Sequence, residues 1–449
     1  MAAIEHVYRY ADGSRLEGGA AGPRLALVAE SRAREAAPVF FDGRLLEPAT
    51  SAACLHMVSD LVGSRFYIPP AMLARILREA DPVVTVGRAM LRFEGFSACC
   101  SSYIRHDIEP AAFAAEAVCA GSTNVDFRDR MRGALAQVRS GADLRLTVSA
   151  EAVGLSHERA EAVERKVPLP IRWLKGFAEV QVHQAGMRPA LSLSKVAAQR
   201  FLRSLPRGPS DQPQWMVGSA AAPRLSARPA KGAMRLSGTR RLRLLEHLAA
   251  KAHRLDIHFN DALGSSAWVL DFGAQRLTLV LNAEPWRGFS GDGQLLSDLA
   301  REEDATTTAV RAQLAWQSAL DREALAARTG HDAAAVDRAL ARLAAAGLVG
   351  FDIATGAYFH RVLPFDLGQI ERLNPRLQSA ERLVAAGAVA LSPTPEGFTA
   401  IVESGGVAHR VTRIGETTTC TCPWFSKTRG ARGPCKHVLA VEICAERTE

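Results

Sequence analysis

Two pairs of metal-ligand residues near the end of the 449-residue chain restrict its fold more than any other feature. Cys420 and Cys422 are one residue apart, twelve residues follow, and Cys435 and His437 are again one residue apart. Three thiolates and one imidazole form a donor set that Zn²⁺ binds tetrahedrally. Residues two apart point to the same side of an extended backbone, so each pair can present both side chains to one ion. Because four protein ligands leave no coordination position open, the pattern predicts one structural zinc ion.

The other cysteines lack this spacing. Cys54 and Cys119 lie among alanines and are predicted to be small core residues. The adjacent pair at 99–100 cannot easily bind one zinc ion, and it is interpreted as packing at a helix start. Cys444 is interpreted as a packed thiol, with a spare zinc ligand as the alternative. A disulfide framework is not expected in a chain of this length in a reducing compartment.

The Cys-x-Cys and Cys-x-His pairs resemble the SWIM zinc finger, as do the Gly-Pro-Cys-Lys-His run and the apolar residues 438–441 behind it. The likeness places a SWIM domain at 375–449. Three further stretches, at 91–108, 122–127 and 266–296, resemble bacterial SWIM proteins of a large multi-domain type. That group accompanies a MoxR-type AAA+ ATPase and a von Willebrand A-domain protein, so the resemblance implies these two classes of protein partner.

Apolar periodicity predicts an α+β, multi-domain chain. Strands are expected at 25–29, 38–41, 83–93, 144–150, 267–272 and 276–281, and a helix is expected after Pro69-Pro70. The predicted regions are an N-terminal α+β region (1–205), a Pro-rich linker (206–230), a basic helix with a β-hairpin (231–300), a winged-helix-like domain (301–366) and the SWIM domain (375–449).

The winged-helix-like prediction depends on three helical segments followed by a hairpin. Asp321 and Asp332 can cap helices, and Gly330 and Gly347 can end them. The region from 306 to 366 has six basic and six acidic residues, and its last helix offers no Asn, Gln, Ser or Thr to base edges. Sequence-specific DNA reading is therefore not expected, and a role in protein contacts is at least as plausible.

The net charge of the chain is +8, and it is concentrated in one segment. Residues 206–254 hold ten basic and two acidic residues, so the rest of the chain sums to zero. A helix over 239–254 would place leucines on one face and a basic stripe on another, which favours binding to phosphates or to an acidic partner. The alternatives are a solvated face and a face paired with acids elsewhere in the protein. The stripe consists of Arg240, Arg243, His247, Lys251 and Arg254. A second basic group surrounds the zinc ligands and consists of Lys427, Arg429, Arg432 and Lys436.

Motifs of familiar enzyme classes are absent, including the P-loop, the His-Glu-x-x-His zinc site and the Gly-x-Ser-x-Gly elbow. No uncharged apolar run approaches the roughly 18 residues of a membrane helix. The N-terminal residues show no signal-peptide core, so a cytoplasmic location is expected.

The first hypothesis is a non-enzymatic zinc-binding adaptor in an ATPase-linked assembly. The second is sequence-nonspecific binding to DNA or RNA through the basic stripe and the finger. A weaker third hypothesis is an enzyme with its site within 1–205.

Overall fold

The computed structural model describes residues 15–19, 22–26, 38–64, 82–167, 169, 171–208, 214–283, 288–289, 304–363, 375–415, 417–429 and 433–446. The chain divides into two compact units, Met1–Pro38 and Val39–Glu449. In the first unit, β1 (Arg15–Gly19) and β2 (Gly22–Ala26) pair as an antiparallel hairpin, and β2 overlaps the start of the strand predicted at 25–29. The helix predicted after Pro69-Pro70 lies outside the described residues.

The second unit mixes strands and helices along its whole described length. Its strands are β3 (Val39–Leu45), β4 (Val83–Val86), β5 (Leu91–Phe96), β6 (Ser102–Ile108), β7 (Phe113–Val118), β8 (Gly121–Asn124), β9 (Arg145–Ser149), β10 (Ala152–His157), β11 (Ala160–Arg165), β12 (Arg188–Ser194), β13 (Gln214–Val217), β14 (Arg224–Ser226), β15 (Met234–Leu236), β16 (Arg254–Asn260), β17 (Ser265–Asp271), β18 (Gln275–Leu281), β19 (Val349–Asp352), β20 (Ala357–His360), β21 (Val389–Thr394), β22 (Gly397–Ser404), β23 (Val407–Ile414) and β24 (Thr417–Cys420). Its α-helices are Pro48–Gly63, Asp129–Gln137, Ile171–Ala185, Lys195–Ser204, Thr239–Leu242, Glu246–Ala249, Ala305–Arg311, Arg322–Thr329, Ala333–Ala345, Pro375–Ala385, Pro423–Thr428 and Lys436–Glu446, and short 3₁₀ turns lie at Pro110–Ala112 and Arg243–Leu245.

The described strands of the second unit form five antiparallel sheets. The largest has eight strands in the order β12-β16-β17-β18-β6-β5-β4-β8, and a second has the order β11-β10-β9-β3-β7. The smaller sheets are β14-β13-β15, the hairpin β19-β20 and the meander β21-β22-β23-β24. The hairpin predicted at 267–281 is confirmed as β17-β18, in which Trp268 pairs with Leu279.

Two hydrophobic cores hold the large sheets. One packs the Ile171–Ala185 and Lys195–Ser204 helices against the eight-stranded sheet, and there the Phe201 and Trp268 rings stack with centroids 5.9 Å apart. The other packs the Pro48–Gly63 and Asp129–Gln137 helices between the two large sheets. Burying a large apolar side chain contributes about 1.5–3 kcal/mol each, so these layers dominate the stability of the unit.

The structure differs from the predicted division between residues 205 and 231. Segments 83–124, 188–194 and 254–281 all supply strands to the eight-stranded sheet, so the N-terminal α+β region and the hairpin region share one layer. The predicted linker at 206–230 contributes β13 and β14, and Met216 of β13 lies in the large core. Pro223 and Pro229 flank the strand β14 instead of interrupting it, a position that β-structure tolerates.

The helix predicted over 239–254 is shorter and less regular than predicted. Two short α-helices, Thr239–Leu242 and Glu246–Ala249, follow each other through a 3₁₀ turn, and Arg254 already begins β16. The leucine face that suggested a helix is nevertheless real, because its members are buried in the large core. These leucines are Leu242, Leu245 and Leu248.

The region predicted to resemble a winged helix contains its expected elements, although its identity as that fold stays a prediction. Asp321 and Asp332 accept hydrogen bonds from backbone N–H groups at the helix starts, as predicted, and Gly330 ends the Arg322–Thr329 helix in the left-handed conformation. The first of the three helical segments, which the sequence pattern predicts over 306–318, ends earlier, at Arg311. The hairpin β19-β20 does not project as a free wing, because it packs on the eight-stranded sheet through buried charges.

These buried charges form a network between the hairpin β19-β20 and the sheet. Asp352 accepts from Arg105 at 2.6 Å and from Arg92 at 3.3 Å, while both arginines also bind Asp107 at 2.9–3.0 Å. A second buried pair joins Arg361 to Glu94. Burial alone would raise the pKa of Asp352, but the guanidinium groups outweigh burial and hold it below its usual range.

The folded chain is expected to lose stability in mild acid because two of its histidines are buried. Burial lowers the pKa of His106 to about 4 and that of His360 to about 4, and His106 Nδ1 has no hydrogen-bond partner in the described chain. Because these folded-state pKa values lie below the unfolded value of 6.5, the unfolded chain takes up protons first, and stability falls as the pH drops from about 6.5 to about 4. We expect a loss approaching 3 kcal/mol for His106 alone.

Hydrogen exchange of β5 and β6 peptides at pH 7 and pH 5 measures this loss apart from any change at the zinc ligands. His106→Gln should weaken the pH dependence, because it removes the titrating ring while keeping a partner for Gln275, which lies 3.0 Å from His106 Nε2. Equal protection at both pH values in the wild-type chain would contradict the prediction.

The remaining cysteine predictions have mixed outcomes. Cys54 is buried in the large core as expected, whereas Cys119 is exposed, because the strand β7 that precedes it is a sheet edge. Cys99 and Cys100 lie in the turn between β5 and β6 and not at a helix start.

None of the described helices combines the length and apolarity needed to cross a bilayer.

Candidate metal centre

The C-terminal four-stranded sheet and two helices position the four zinc-ligand residues. Strands β22 and β23 pair as an antiparallel hairpin, and β24 returns alongside β23 to end at Cys420, which pairs with Val411. Cys422 is the N-cap of the Pro423–Thr428 helix. Cys435 directly precedes the Lys436–Glu446 helix, whose first turn carries His437.

The four side chains converge on one point. All four residues are buried, and their ligand atoms lie within 4.8 Å of one another. His437 Nδ1 is 3.9 Å from both Cys420 Sγ and Cys435 Sγ. Tetrahedral zinc with bonds of about 2.3 Å to sulfur and 2.0 Å to nitrogen places its ligand atoms about 3.5–3.8 Å apart. The donor set and its spacing therefore fit one Zn²⁺.

Backbone N–H groups point at each sulfur. Phe425 N donates to Cys422 Sγ at 3.3 Å, Val438 N donates to Cys435 Sγ at 3.5 Å, and the Cys422 N–H donates to Cys420 Sγ at 3.5 Å. Hydrogen bonds to sulfur favour the thiolate, which is the form that binds metal. The two helix starts thus supply fixed donors for the charge that the three sulfurs carry around zinc.

Without a cation the three thiols cannot all ionise in this buried space. A hydrogen bond from Cys435 lowers the pKa of Cys420, while that same bond, followed by burial, raises the pKa of Cys435 to about 12. Burial also raises the pKa of Cys422. Zinc binding must therefore release protons, and the affinity for zinc falls as the pH falls.

The surroundings of His437 fix its ring. The imidazole of His409 lies against it with centroids 4.3 Å apart and the ring planes tilted by 37°, and His437 Nε2 is buried without a hydrogen-bond partner in the described chain. Cys444, the alternative spare ligand, is not part of the four-residue cluster. Cys444 has contacts of its own. His409 was not singled out from the sequence, because its position on β23, one strand before the first ligand Cys420, gives no ligand-spacing signal.

The residues of the two predicted basic groups differ in exposure and in their contacts. Lys427 and Arg429 are exposed, Lys436 is half-buried, and none of the three forms an ion pair within the described chain; Arg432 lies outside the described residues. In the basic stripe, Arg240 and His247 are exposed. The other three members are occupied: Arg243 binds Glu246 and the Leu205 carbonyl, Lys251 donates to the Ala49 carbonyl, and Arg254 binds Asp256 and Asp271.

The comparisons with known proteins agree with the geometry at the C-terminal end. Residues 409–446 match the profile of the SWIM zinc finger. Comparison with curated proteins gave no match. Among solved structures, proliferating cellular nuclear antigen from Entamoeba histolytica is similar at 11% identity and a TM-score of 0.36, over 54% of this chain and 98% of that chain. A superposition that loose supports no conclusion about fold or function. The profile match and the Cys₃His cluster together identify residues 409–446 as a SWIM-type zinc finger built to hold one structural Zn²⁺.

Proposed function

We propose that the chain is a non-enzymatic interaction subunit whose zinc finger stabilises a protein-contact domain. The observation that carries the proposal is the closed ligand shell: four buried protein ligands converge within 4.8 Å, which leaves zinc no position for a substrate or water. Zinc in such a shell holds a fold together and does not perform chemistry. The function then depends on the surfaces that this fold presents.

The finger presents aliphatic side chains to solvent. Ile401 and Ile414 lie on the same outer face of the meander β21-β22-β23-β24, and their exposed fractions are 37% and 56%. The opposite face carries Phe398, Ala400 and Val402, which are buried around the zinc ligands. A partner that covers this outer face would remove both side chains from water, so we place the protein contact there.

An AAA+ ATPase of the MoxR type, together with a von Willebrand A-domain protein, is the partner class that we propose. The support is the sequence resemblance of three stretches to bacterial SWIM proteins. The fold adds one argument, because the strands within these stretches, β5, β6, β8, β17 and β18, all belong to the eight-stranded sheet. Segments that resemble one group of proteins would thus form a single structural layer. A cytoplasmic location is part of the same proposal.

Affinity capture from the native host tests this function. The zinc-loaded full-length chain should retain an AAA+ ATPase, and Ile401→Glu with Ile414→Glu should lose it without losing zinc. Val163→Glu with Val196→Glu is the matched control, because these valines are 58% and 54% exposed on other elements. Capture without any ATPase, or capture unaffected by the finger variant, would count against the proposed partner or its surface.

Nucleic-acid binding by the basic stripe and the finger is the second candidate. It is favoured by the exposure of Arg240, Lys427 and Arg429 without ion pairs in the described chain. It is weakened at Arg243, Lys251 and Arg254, whose charged groups are already engaged. A steep salt dependence of binding to arbitrary DNA or RNA that depends on these residues would support it.

A further inference from the structure

The small sheet β14-β13-β15 has two unlike faces. Its central strand β13 pairs on one side with β14 and on the other with β15. Met216 lies in the large core, and its cross-strand neighbours Leu225 and Met234 pack against that core. Because side chains alternate along strands, the neighbouring residues Trp215, Ser226 and Arg235 lie on the opposite, outer face.

The segment that forms this sheet carries positive charge without acids. Residues 212–245 contain seven basic residues and no Asp or Glu. Five of them are exposed and form no ion pair within the described chain. They are Arg224, Arg228, Lys231, Arg235 and Arg240. Arg224 and Arg235 lie on the two edge strands, and Arg228 and Lys231 lie in the connection between those strands. Cations therefore border the sheet on both sides.

Trp215 lies between these cations on the central strand. It is partly exposed, Arg235 is its direct cross-strand partner, and its ring contacts no other aromatic ring or guanidinium group of the described chain. The six tryptophans of the chain include Trp173 and Trp268, which are fully buried. Trp215 lies at the surface beside the polar Ser226 and the basic Arg235. Its flat ring can therefore stack on a planar group of a ligand.

We propose that the outer face of β14-β13-β15 binds single-stranded nucleic acid, with Trp215 stacking on a base and the flanking cations contacting phosphates. A ring flanked by a cation on each edge strand, with further cations in the connection, matches both parts of a single strand, its exposed bases and its regular charge. A duplex keeps its bases stacked on each other and presents only phosphates to this face. An acidic protein segment would meet the cations but would leave the indole ring without a partner.

This surface is independent of the zinc ligands and of the partner proposed above. Its test uses the zinc-loaded full-length chain and a fluorescent oligo-dT of about twenty nucleotides in an anisotropy titration. We expect binding that weakens with salt, with a slope of about −2 to −3 in log–log form for three to four phosphate contacts. Trp215→Ala should weaken binding on the order of tenfold, and Trp215→Phe should restore most of it because a ring is kept.

Charge variants separate the local surface from the overall charge. Arg224→Glu with Arg235→Glu should abolish measurable binding, whereas Arg130→Glu with Arg328→Glu changes the net charge equally at exposed sites elsewhere and should retain it. All variants must keep full zinc content, so that failure of the finger is recognised separately. Three results would overturn the proposal: no oligo-dT binding at low salt, equal binding of duplex DNA, or competition by poly-glutamate with no effect of Trp215→Ala. The last result would assign the surface to an acidic protein.

Discussion

Removal of zinc is expected to unfold residues 417–446 while the eight-stranded sheet stays folded. Three of the zinc ligands are themselves members of the small core that holds the finger, together with Phe398, Val411 and Phe425. Without the ion, three buried thiols and an imidazole lose the bonds that join them. In isolated zinc fingers, zinc binding contributes about 10–16 kcal/mol to the free energy of folding. Chelator treatment followed by hydrogen exchange should show lost protection in β24 and the Lys436–Glu446 helix, with metal analysis reporting one zinc per chain beforehand.

Single substitutions give this prediction its control. Cys422→Ser should lose zinc and expose the finger in the same way as chelation, whereas Cys444→Ser should keep full zinc because Cys444 is outside the four-residue cluster. Retention of stoichiometric zinc by both Cys422→Ser and His437→Ala would refute the site. Lowering the pH should release zinc, since three sulfurs must be deprotonated to bind it.

The second large effect is expected at Asp352. Asp352→Ala should destabilise the unit by about 3–5 kcal/mol, because it leaves Arg92 and Arg105 as buried charges that have lost a partner. Both arginines and the aspartate are at most 2% exposed, so water cannot compensate. Arg92 also lies over the Phe359 ring at 3.7 Å, which ties the same charge to the hairpin β19-β20. Urea unfolding monitored by circular dichroism measures the change in free energy.

A surface pair provides the matched control for Asp352. Asp337 binds Arg322 at 2.8 Å, but about half of each side chain is exposed, so Asp337→Ala should cost no more than about 1 kcal/mol. Asp352→Asn keeps the shape and some hydrogen bonds, and it allows measurement if the alanine variant does not fold. Equal losses for Asp352→Ala and Asp337→Ala would show that the buried network does not hold the hairpin.

Local patterns predicted the parts of the molecule that depend on neighbouring residues. The zinc ligands were evident because each pair is one residue apart and a helix follows the second pair. The caps at Asp321 and Asp332 and the hairpin β17-β18 were predicted for the same reason, since short polar residues and glycine act within a few positions. These features require no knowledge of how distant segments meet.

Distant pairing could not be predicted from such patterns. Glu94 and Arg361 are 267 residues apart, and a charged residue inside a strand normally indicates an exposed face. Trp215 was missed because the prolines around it favoured a linker, although its burial pattern is that of a half-covered sheet. In the basic stripe, Arg254 pairs with Asp271, which becomes its neighbour only in the folded chain, whereas Arg243 pairs with Glu246, only three residues further along the sequence.

The strand order of the eight-stranded sheet also governs how the chain can be synthesised. β6 pairs with β18, and the contact between His106 and Gln275 spans 169 residues. During translation, the edge of β6 that pairs with β18 therefore stays unpaired until residue 281 has left the ribosome. Unpaired strand edges are prone to aggregate, and such distant closure is slow. A fragment that ends near residue 205 would keep that edge open permanently, so the sheet should fold only when made as one continuous polypeptide.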